Sequence, residues 1–236
     1  MLQETMMKII RAEFETSAAD PGGWPKEVPE GGMAALAEIA FVGRSNVGKS
    51  SLLNVLAERH GLARTSRDPG RTRLVNFFRV EVEAAGRRVE MRFVDLPGFG
   101  YAKVSKTERA TWRPAIEKYL VGRRTLKVVV LLIDVRRIPS KKEEEADSLI
   151  DERELLPWIQ SRGVVVVPVV TKADKLAKHE RKITAERLKK LIGVTPMLFS
   201  AQSGDGREKL LERLLKEVGD GTEGANVGLT DAKGGD

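Results

Sequence analysis

The sequence predicts an α/β fold: a six-stranded, mostly parallel sheet with one antiparallel edge strand and helices on both faces. Apolar runs of strand length alternate with longer helical stretches, which is the order of repeated strand–helix–strand units. The run 164–170 is almost entirely apolar, as expected of a strand buried on both faces. The stretch 83–86, Glu-Ala-Ala-Gly, is typical of a hairpin turn and predicts the antiparallel pair.

The predicted elements lie within one central domain. Strands are expected at 36–42, 74–83, 87–95, 127–134, 164–170 and 196–200, and helices at 49–59, 106–121, 141–162, 180–192 and 206–218. Residues 1–32 form a polar lead-in rich in Pro and Gly, which we expect to be an extended arm against the domain 33–218. Residues 219–236 are Gly-rich, with four acids, one lysine and few apolar side chains, so this tail is predicted to be disordered.

Residues 43–50, GRSNVGKS, match the phosphate-binding loop G-x-x-x-x-G-K-[ST] and lie between a predicted strand and a predicted helix. Gly43 and Gly48 would let the backbone curl with its N–H groups facing a phosphate. Lys49 would reach the β- and γ-phosphate oxygens, and Ser50 would offer its hydroxyl to Mg²⁺. The motif alone does not distinguish ATP from GTP, or a kinase from a switch.

Three further motifs follow apolar strands and favour a guanine nucleotide. In MRFVDLPG, Asp95 is placed to hold a water of the Mg²⁺ shell, and the N–H of Gly98 can approach a γ-phosphate. In TKAD, the Asp174 carboxylate can accept two hydrogen bonds from guanine that adenine cannot supply, while the Lys172 stem lies against the base or over the loop. In SAQ, at 200–202, a backbone N–H could reach the guanine O6.

The stretch 65–73, TSRDPGRTR, has the features of a nucleotide-gated loop. Thr72 would ligate Mg²⁺ and touch the γ-phosphate in the GTP state, and hydrolysis would release both contacts. The predicted catalytic residues are therefore Lys49, Thr72 and Gly98, and the predicted metal ligands are Ser50 and Thr72, with Asp95 acting through water. The predicted nucleotide-binding residues are Gly43, Arg44, Ser45, Asn46, Val47, Gly48, Lys49, Ser50, Ser51, Gly70, Arg71, Thr72, Asp95, Leu96, Pro97, Gly98, Thr171, Lys172, Ala173, Asp174, Ser200, Ala201 and Gln202.

Together the segments GRSNVGKSSLLN, ARTSRDPGRTRLVNFF, DLPGFGYAKV, TKADKL and FSAQSGDG resemble the EngB/YsxC/YihA family of bacterial GTPases, over roughly residues 20–218. The resemblance implies a Ras-like P-loop GTPase fold and hydrolysis of GTP to GDP and phosphate. It also implies a role in assembly of the large ribosomal subunit and a requirement for normal cell division and septation.

The sequence identifies no residue that positions the attacking water. Many GTPases have a Gln directly after D-x-x-G, but Phe99 stands there and cannot hydrogen-bond a water, so slow intrinsic turnover is expected. Asn46 is a candidate K⁺ ligand, as in some related GTPases, or a turn residue that bonds its own loop. Arg44, Arg71 and Arg73 could each act on the phosphates or contact RNA.

Charge and composition indicate the class of partner. The net charge is +7, and residues 1–218 carry +10 because the tail carries −3. Residues 59–79 contain six arginines and one acid, which suggests a phosphate-rich partner, namely the large ribosomal subunit or its precursor in view of the resemblance. No apolar run approaches about 18 residues, and there is neither a signal-peptide pattern nor a cysteine, so we expect a cytoplasmic protein without membrane contact. We also expect a monomer.

Two alternatives remain open from the sequence. One is a P-loop nucleoside or nucleotide kinase, against which the TKAD and SAQ elements argue because they fix a guanine. The other is a GTPase whose partner is a division protein instead of the ribosome.

Overall fold

The computed structural model describes residues 7–28, 35–63, 74–99, 116–140 and 148–219, and its strands form one sheet. The strands are β1 Lys8–Ala18, β2 Ala37–Gly43, β3 Val75–Ala84, β4 Arg87–Asp95, β5 Leu126–Asp134, β6 Val165–Thr171 and β7 Met197–Leu198. The helices are α1 Lys49–Leu56, α2 with its described part at 116–122, α3 Ile150–Gln160, α4 Lys178–Ile192 and α5 Arg207–Gly219.

The sheet order is β1-β3-β4-β2-β5-β6-β7, and the pairs from β4 onward are parallel. β3 runs antiparallel to both β1 and β4, which confirms the predicted fold class with its antiparallel edge. The turn between β3 and β4 has positive φ angles of 51° at Ala85 and 74° at Gly86, as a two-residue hairpin of type I′ requires.

Within the described residues the sheet has seven strands, so the predicted number of six was one too low. The additional strand is β1, which lies within the lead-in 1–32 and pairs with β3 over its whole length. Most of its side chains are exposed on an edge strand, so its sequence lacks the clear apolar alternation of a half-buried strand.

Apolar layers cover both faces of the sheet. The helices α1 and α5 pack on one face, where Phe41, Phe93 and Leu52 are completely buried. α2 and α3 pack on the other face around Tyr119 and Ile159, and α4 covers a smaller cluster. None of the described helices is long and apolar enough to cross a membrane.

The residues after β1 pack against the end of the sheet opposite the predicted site. Trp24 lies with its ring centroid 5.4 Å from that of Tyr119, whose hydroxyl donates to the buried Glu38 carboxylate at 2.6 Å. Arg123 donates to the same carboxylate and, at 3.0 Å, to the carbonyl of Pro25. This buried polar cluster fixes the lead-in to the C-terminal end of α2.

Some sequence predictions fall outside the described residues. Residues 64–73 contain Gly70, Arg71, Thr72 and Arg73, and residues 220–236 form most of the predicted tail.

Candidate nucleotide-binding site

The predicted phosphate loop joins the carboxyl end of β2 to the N-terminus of α1. Gly48 precedes the first turn of α1 with a φ of 102°, in the left-handed region that glycine adopts without steric cost. Asn46 also has a positive φ, of 63°, and its side chain is exposed. The first N–H groups of a helix have no partner within it, so this geometry leaves donors and a positive dipole end at the loop.

Lys49 and Asp95 come from separate sequence motifs and contact each other. The Lys49 ammonium group donates a hydrogen bond to Asp95 Oδ1, and Asp95 is only 7% exposed. Burial lowers the pKa of Lys49 from its ordinary value of 10.5 to about 7. The structure therefore places the phosphate-loop lysine beside the carboxylate of the D-x-x-G motif.

The D-x-x-G motif is joined to the phosphate loop through the backbone. The N–H of Ser45 donates to the carbonyl of Phe99 at 2.9 Å, and the N–H of Phe99 donates to the carbonyl of Gly43 at 3.1 Å. A Cβ at Gly98 would lie 3.0 Å from Ser45 Oγ, so any larger residue would crowd the loop. The Phe99 side chain is completely buried in the core beneath.

The TKAD segment is hydrogen-bonded to the phosphate loop. The hydroxyl of Thr171 donates to the carbonyl of Val47 at 2.6 Å, and the ammonium of Lys172 donates to the carbonyl of Asn46 at 2.9 Å. The two loops are therefore fixed relative to each other, although they are more than a hundred residues apart in the chain.

The SAQ segment holds the carboxylate of TKAD. Ser200 is completely buried, and its hydroxyl donates to Asp174 Oδ1 at 2.8 Å, which lowers the pKa of Asp174. The same hydroxyl accepts from the N–H groups of Gln202 and Ser203 at 3.2 Å. The N–H of Ala173 donates to the carbonyl of Phe199 at 3.1 Å, so the two segments form one surface.

Sequence reasoning missed three polar residues next to these motifs. Asp134, at the carboxyl end of β5, accepts from Lys172 at 2.7 Å, and Asp151 on α3 accepts from Arg44 at 2.5 Å. Asn76, at the start of β3, donates to Asp95 Oδ2 at 3.3 Å. Asp134 carried a usable signal, since it ends an apolar strand at the edge where the other motifs lie. The contacts of Asp151 and Asn76 had no signal in the sequence, because each joins segments that are far apart in the chain.

The side chains of Ser50 and Asp95 carry oxygen atoms of the kind that bind Mg²⁺. Ser50 directly follows Lys49 in the first turn of α1, and the Lys49 ammonium contacts the Asp95 carboxylate. A hydroxyl and a carboxylate are hard oxygen ligands of the kind that Mg²⁺ uses together with substrate phosphates. The third predicted ligand, Thr72, lies outside the described residues.

Comparison with known proteins identifies close relatives. A family model described as "50S ribosome-binding GTPase" matches residues 38–188. The "Probable GTP-binding protein EngB" of Syntrophus aciditrophicus is 42% identical over 216 residues, which cover 91% of this chain and 98% of that protein. The protein of the same name from Geobacter sulfurreducens is 42% identical over 219 residues, covering 92% and 95% of the two chains.

Solved structures share the fold. A crystal structure of a probable GTP-binding protein engB matches with a TM-score of 0.58 and 22% identity, over 78% of this chain and 99% of that chain. A structure of Era in complex with MgGDPNP and nucleotides 1506–1542 of 16S ribosomal RNA matches with a TM-score of 0.57 and 26% identity, over 78% of this chain and 57% of that chain.

Proposed function

This chain belongs to the EngB family of GTPases, and from that premise we propose that it is a GTP-gated switch in the assembly of the large ribosomal subunit. The observation that carries the proposal is the pair of hydrogen bonds from Thr171 and Lys172 to the phosphate-loop carbonyls of Val47 and Asn46. These bonds hold the TKAD segment against the loop 43–50, which supports the proposal that one nucleotide spans both.

Guanine is read by Asp174 and the SAQ segment. The Asp174 carboxylate accepts from the N1–H and the exocyclic amine of the base, and the Ser200 hydroxyl holds it in place. A backbone N–H of Ala201 or Gln202 meets the guanine O6. Adenine would leave the carboxylate without donors, which is the physical basis of discrimination. The stem of Lys172 covers the base plane.

The phosphates are held by residues 43–51. Backbone N–H groups between Gly43 and Ser51 surround the β-phosphate, and Lys49 binds the β- and γ-phosphate oxygens. Mg²⁺ neutralises charge on the phosphate oxygens when it is bound. Ser50 and Thr72 would hold that ion directly, and Asp95 would hold it through water.

The switch consists of two segments that meet the γ-phosphate. One is the loop with Gly70, Arg71 and Thr72, and the other is Asp95-Leu96-Pro97-Gly98, which the bridge between Phe99 and the phosphate loop keeps in place. Loss of the γ-phosphate removes the contacts of Thr72 and Gly98, and the surface presented to a partner changes.

Hydrolysis in the free protein is slow. Phe99 occupies the place where other GTPases carry a water-positioning Gln, and its buried ring offers no hydrogen bond to water. Lys49, Thr72 and the N–H of Gly98 stabilise the developing charge, while acceleration comes from a partner or from a K⁺ ion at Asn46. Family membership favours release of free phosphate over phosphoryl transfer to a second substrate.

The partner is the large ribosomal subunit or its precursor, and the protein acts in the cytoplasm as a monomer and supports cell division. The matching family model carries the description of a 50S ribosome-binding GTPase, and the structurally similar Era binds a ribosomal RNA fragment. The arginine-rich stretch 59–79 supplies charge for rRNA next to the nucleotide-gated loop. A division protein as the partner is the second candidate.

Co-sedimentation with purified large subunits and their precursors tests this proposal. The protein is loaded with GDP or a non-hydrolysable GTP analogue, and binding is followed over a salt series. Binding in the GTP-like state alone, weakening with salt, is expected, and substitution of Arg71 and Arg73 by Ala should flatten the salt slope. Equal binding in both states removes the switch, and no binding to any particle favours a protein partner in division.

A further inference from the structure

Three polar side chains form a row across the edge of the sheet and end at the phosphate loop. Ser17 on β1 stands opposite Asn76 on β3, and Asn76 stands opposite Asp95 on β4. Register partners in a sheet point to the same face, so the three side chains can contact one another in sequence. The Ser17 hydroxyl donates to Asn76 Oδ1 at 2.7 Å, and Asn76 Nδ2 donates to Asp95 Oδ2 at 3.3 Å.

An irregularity in β1 makes this row possible. Phe14 pairs with Phe78 and Thr16 pairs with Phe77, so β1 has one extra residue, Glu15, at this point. In a regular ladder continued from Phe14, Glu15 would pair with Phe77, and Thr16 would stand opposite Asn76. A bulge of this kind re-aims the side chains that follow it, and here it brings the Ser17 hydroxyl into register with the asparagine.

Both oxygen atoms of the Asp95 carboxylate accept hydrogen bonds, one from this row and one from Lys49. Lys49 donates to Oδ1 and Asn76 donates to Oδ2. The Ser17 hydroxyl occupies the carbonyl end of the Asn76 amide, which turns the amide nitrogen towards the carboxylate. Asn76 therefore opposes rotation of a carboxylate that is itself almost completely buried.

We propose that Asn76, oriented by Ser17, is a positioning residue that fixes the Asp95 carboxylate for the Mg²⁺-bound nucleotide. This inference rests on the proposed function, in which Asp95 holds the ion through water. An oxygen whose direction is fixed loses less freedom when it binds the hydrated ion, so the arrangement strengthens Mg²⁺ binding and slows the release of GDP. The lead-in strand β1 thereby contributes to the nucleotide site without touching the nucleotide.

The test is the release rate of a fluorescent GDP from the full chain, measured over a Mg²⁺ titration and in excess EDTA. In Asn76→Leu, the Mg²⁺ concentration that half-maximally slows release should rise roughly tenfold, while the rate in EDTA should stay within about twofold of wild type. Ser17→Ala should raise the midpoint roughly threefold, because it acts through Asn76, and Ser17→Thr should restore it. Glu83→Gln, at the far end of β3, is the matched control and should leave the midpoint unchanged.

The double variant separates this role from a general effect on the sheet. If Ser17 acts through Asn76, Ser17→Ala adds nothing to Asn76→Leu. The proposal is overturned if the midpoint is unchanged in both single variants, if the rate in EDTA changes as much as the rate in Mg²⁺, or if the two effects add. Should Asn76→Leu fail to fold, the pair Ser17→Ala and Ser17→Thr decides alone. A wild-type protein that binds GDP without any Mg²⁺ dependence overturns the proposed Mg²⁺ site itself. That result differs from failure of the Asn76 proposal, in which wild type depends on Mg²⁺ and the variants behave like it.

Discussion

The ammonium group of Lys172 donates a hydrogen bond to the Asp134 carboxylate at 2.7 Å. The same ammonium donates to the Asn46 carbonyl at 2.9 Å. Arg136 donates to the oxygen that Lys172 contacts, Asp134 Oδ2, at 2.6 Å, and to Oδ1 at 2.9 Å. A carboxylate at the end of β5 thus sets the position of the lysine that we propose covers the base. Asp134 belongs to none of the motifs that identified the site in the sequence.

Replacing Asp134 by Asn should weaken nucleotide binding. The amide keeps the shape of the side chain but loses the negative charge that holds Lys172, so the affinity for fluorescent GDP should fall roughly tenfold. Arg136→Ala is the matched control, because it removes the exposed partner of Asp134 and leaves Lys172 in place. Equal affinities of Asp134→Asn and wild type in an equilibrium titration would contradict the assignment.

The same carboxylate should make stability depend on acid. Burial alone would raise the pKa of Asp134, but hydrogen bonds from Arg136 and Lys172 outweigh this effect and lower it from 3.8 to about 2. Because the folded-state pKa is the lower one, its contribution is complete above the unfolded pKa and is lost as the pH falls towards 2. The free energy of unfolding of wild type should exceed that of Asp134→Asn by about 1–2 kcal/mol at about pH 6. The difference is no larger because solvent screens the exposed Arg136 side chain. It should become smaller below about pH 4. Urea unfolding at several pH values measures it, and a gap independent of pH would contradict the prediction.

The sequence was sufficient to predict the motifs and the parallel part of the sheet, because the phosphate loop, D-x-x-G and TKAD each follow a strand that ends in buried residues. It was insufficient for β1. That strand is stabilised by pairing with β3 and not by burial of an apolar face, since most of its side chains are exposed. The hydrogen bond from Thr171 to Val47 could not be predicted either, because it joins two loops that are far apart in the sequence.

Asp174→Asn should change the base that is bound. An amide can still accept from the N1–H of a purine, but its nitrogen would face the amine of guanine, donor against donor. Xanthine carries an oxygen at that position and would suit the amide. The affinity for GDP should fall at least about a hundredfold while the affinity for XDP rises. Ser200→Ala is the weaker companion variant, since it removes only the support of the carboxylate. Retention of full GDP affinity by Asp174→Asn would place the base elsewhere.

Arg123→Ala should destabilise the fold without a direct effect on the site. It leaves the fully buried Glu38 carboxylate with only part of its hydrogen bonds, which should cost about 3–5 kcal/mol in the free energy of unfolding. Lys118→Ala is the control, because its pair with Asp20 is exposed and should be worth less than about 1 kcal/mol. Chemical denaturation compares the two variants, and equal losses would mean that the buried cluster does not anchor the lead-in.

GTP turnover should be faster in KCl than in NaCl, by roughly tenfold, because a K⁺ ion at the phosphates would stabilise transition-state charge as an arginine finger does. Asn46 is the residue that this prediction depends on, since it lies in the phosphate loop with an exposed side chain and a backbone fixed by Lys172. The informative variant is Asn46→Gly, because glycine accepts the φ of 63° and removes the side chain without straining the loop. Its turnover should be the same in both salts, while its affinity for GDP stays close to that of wild type. Equal wild-type rates in KCl and NaCl would exclude the ion as the accelerator and assign that role to the partner.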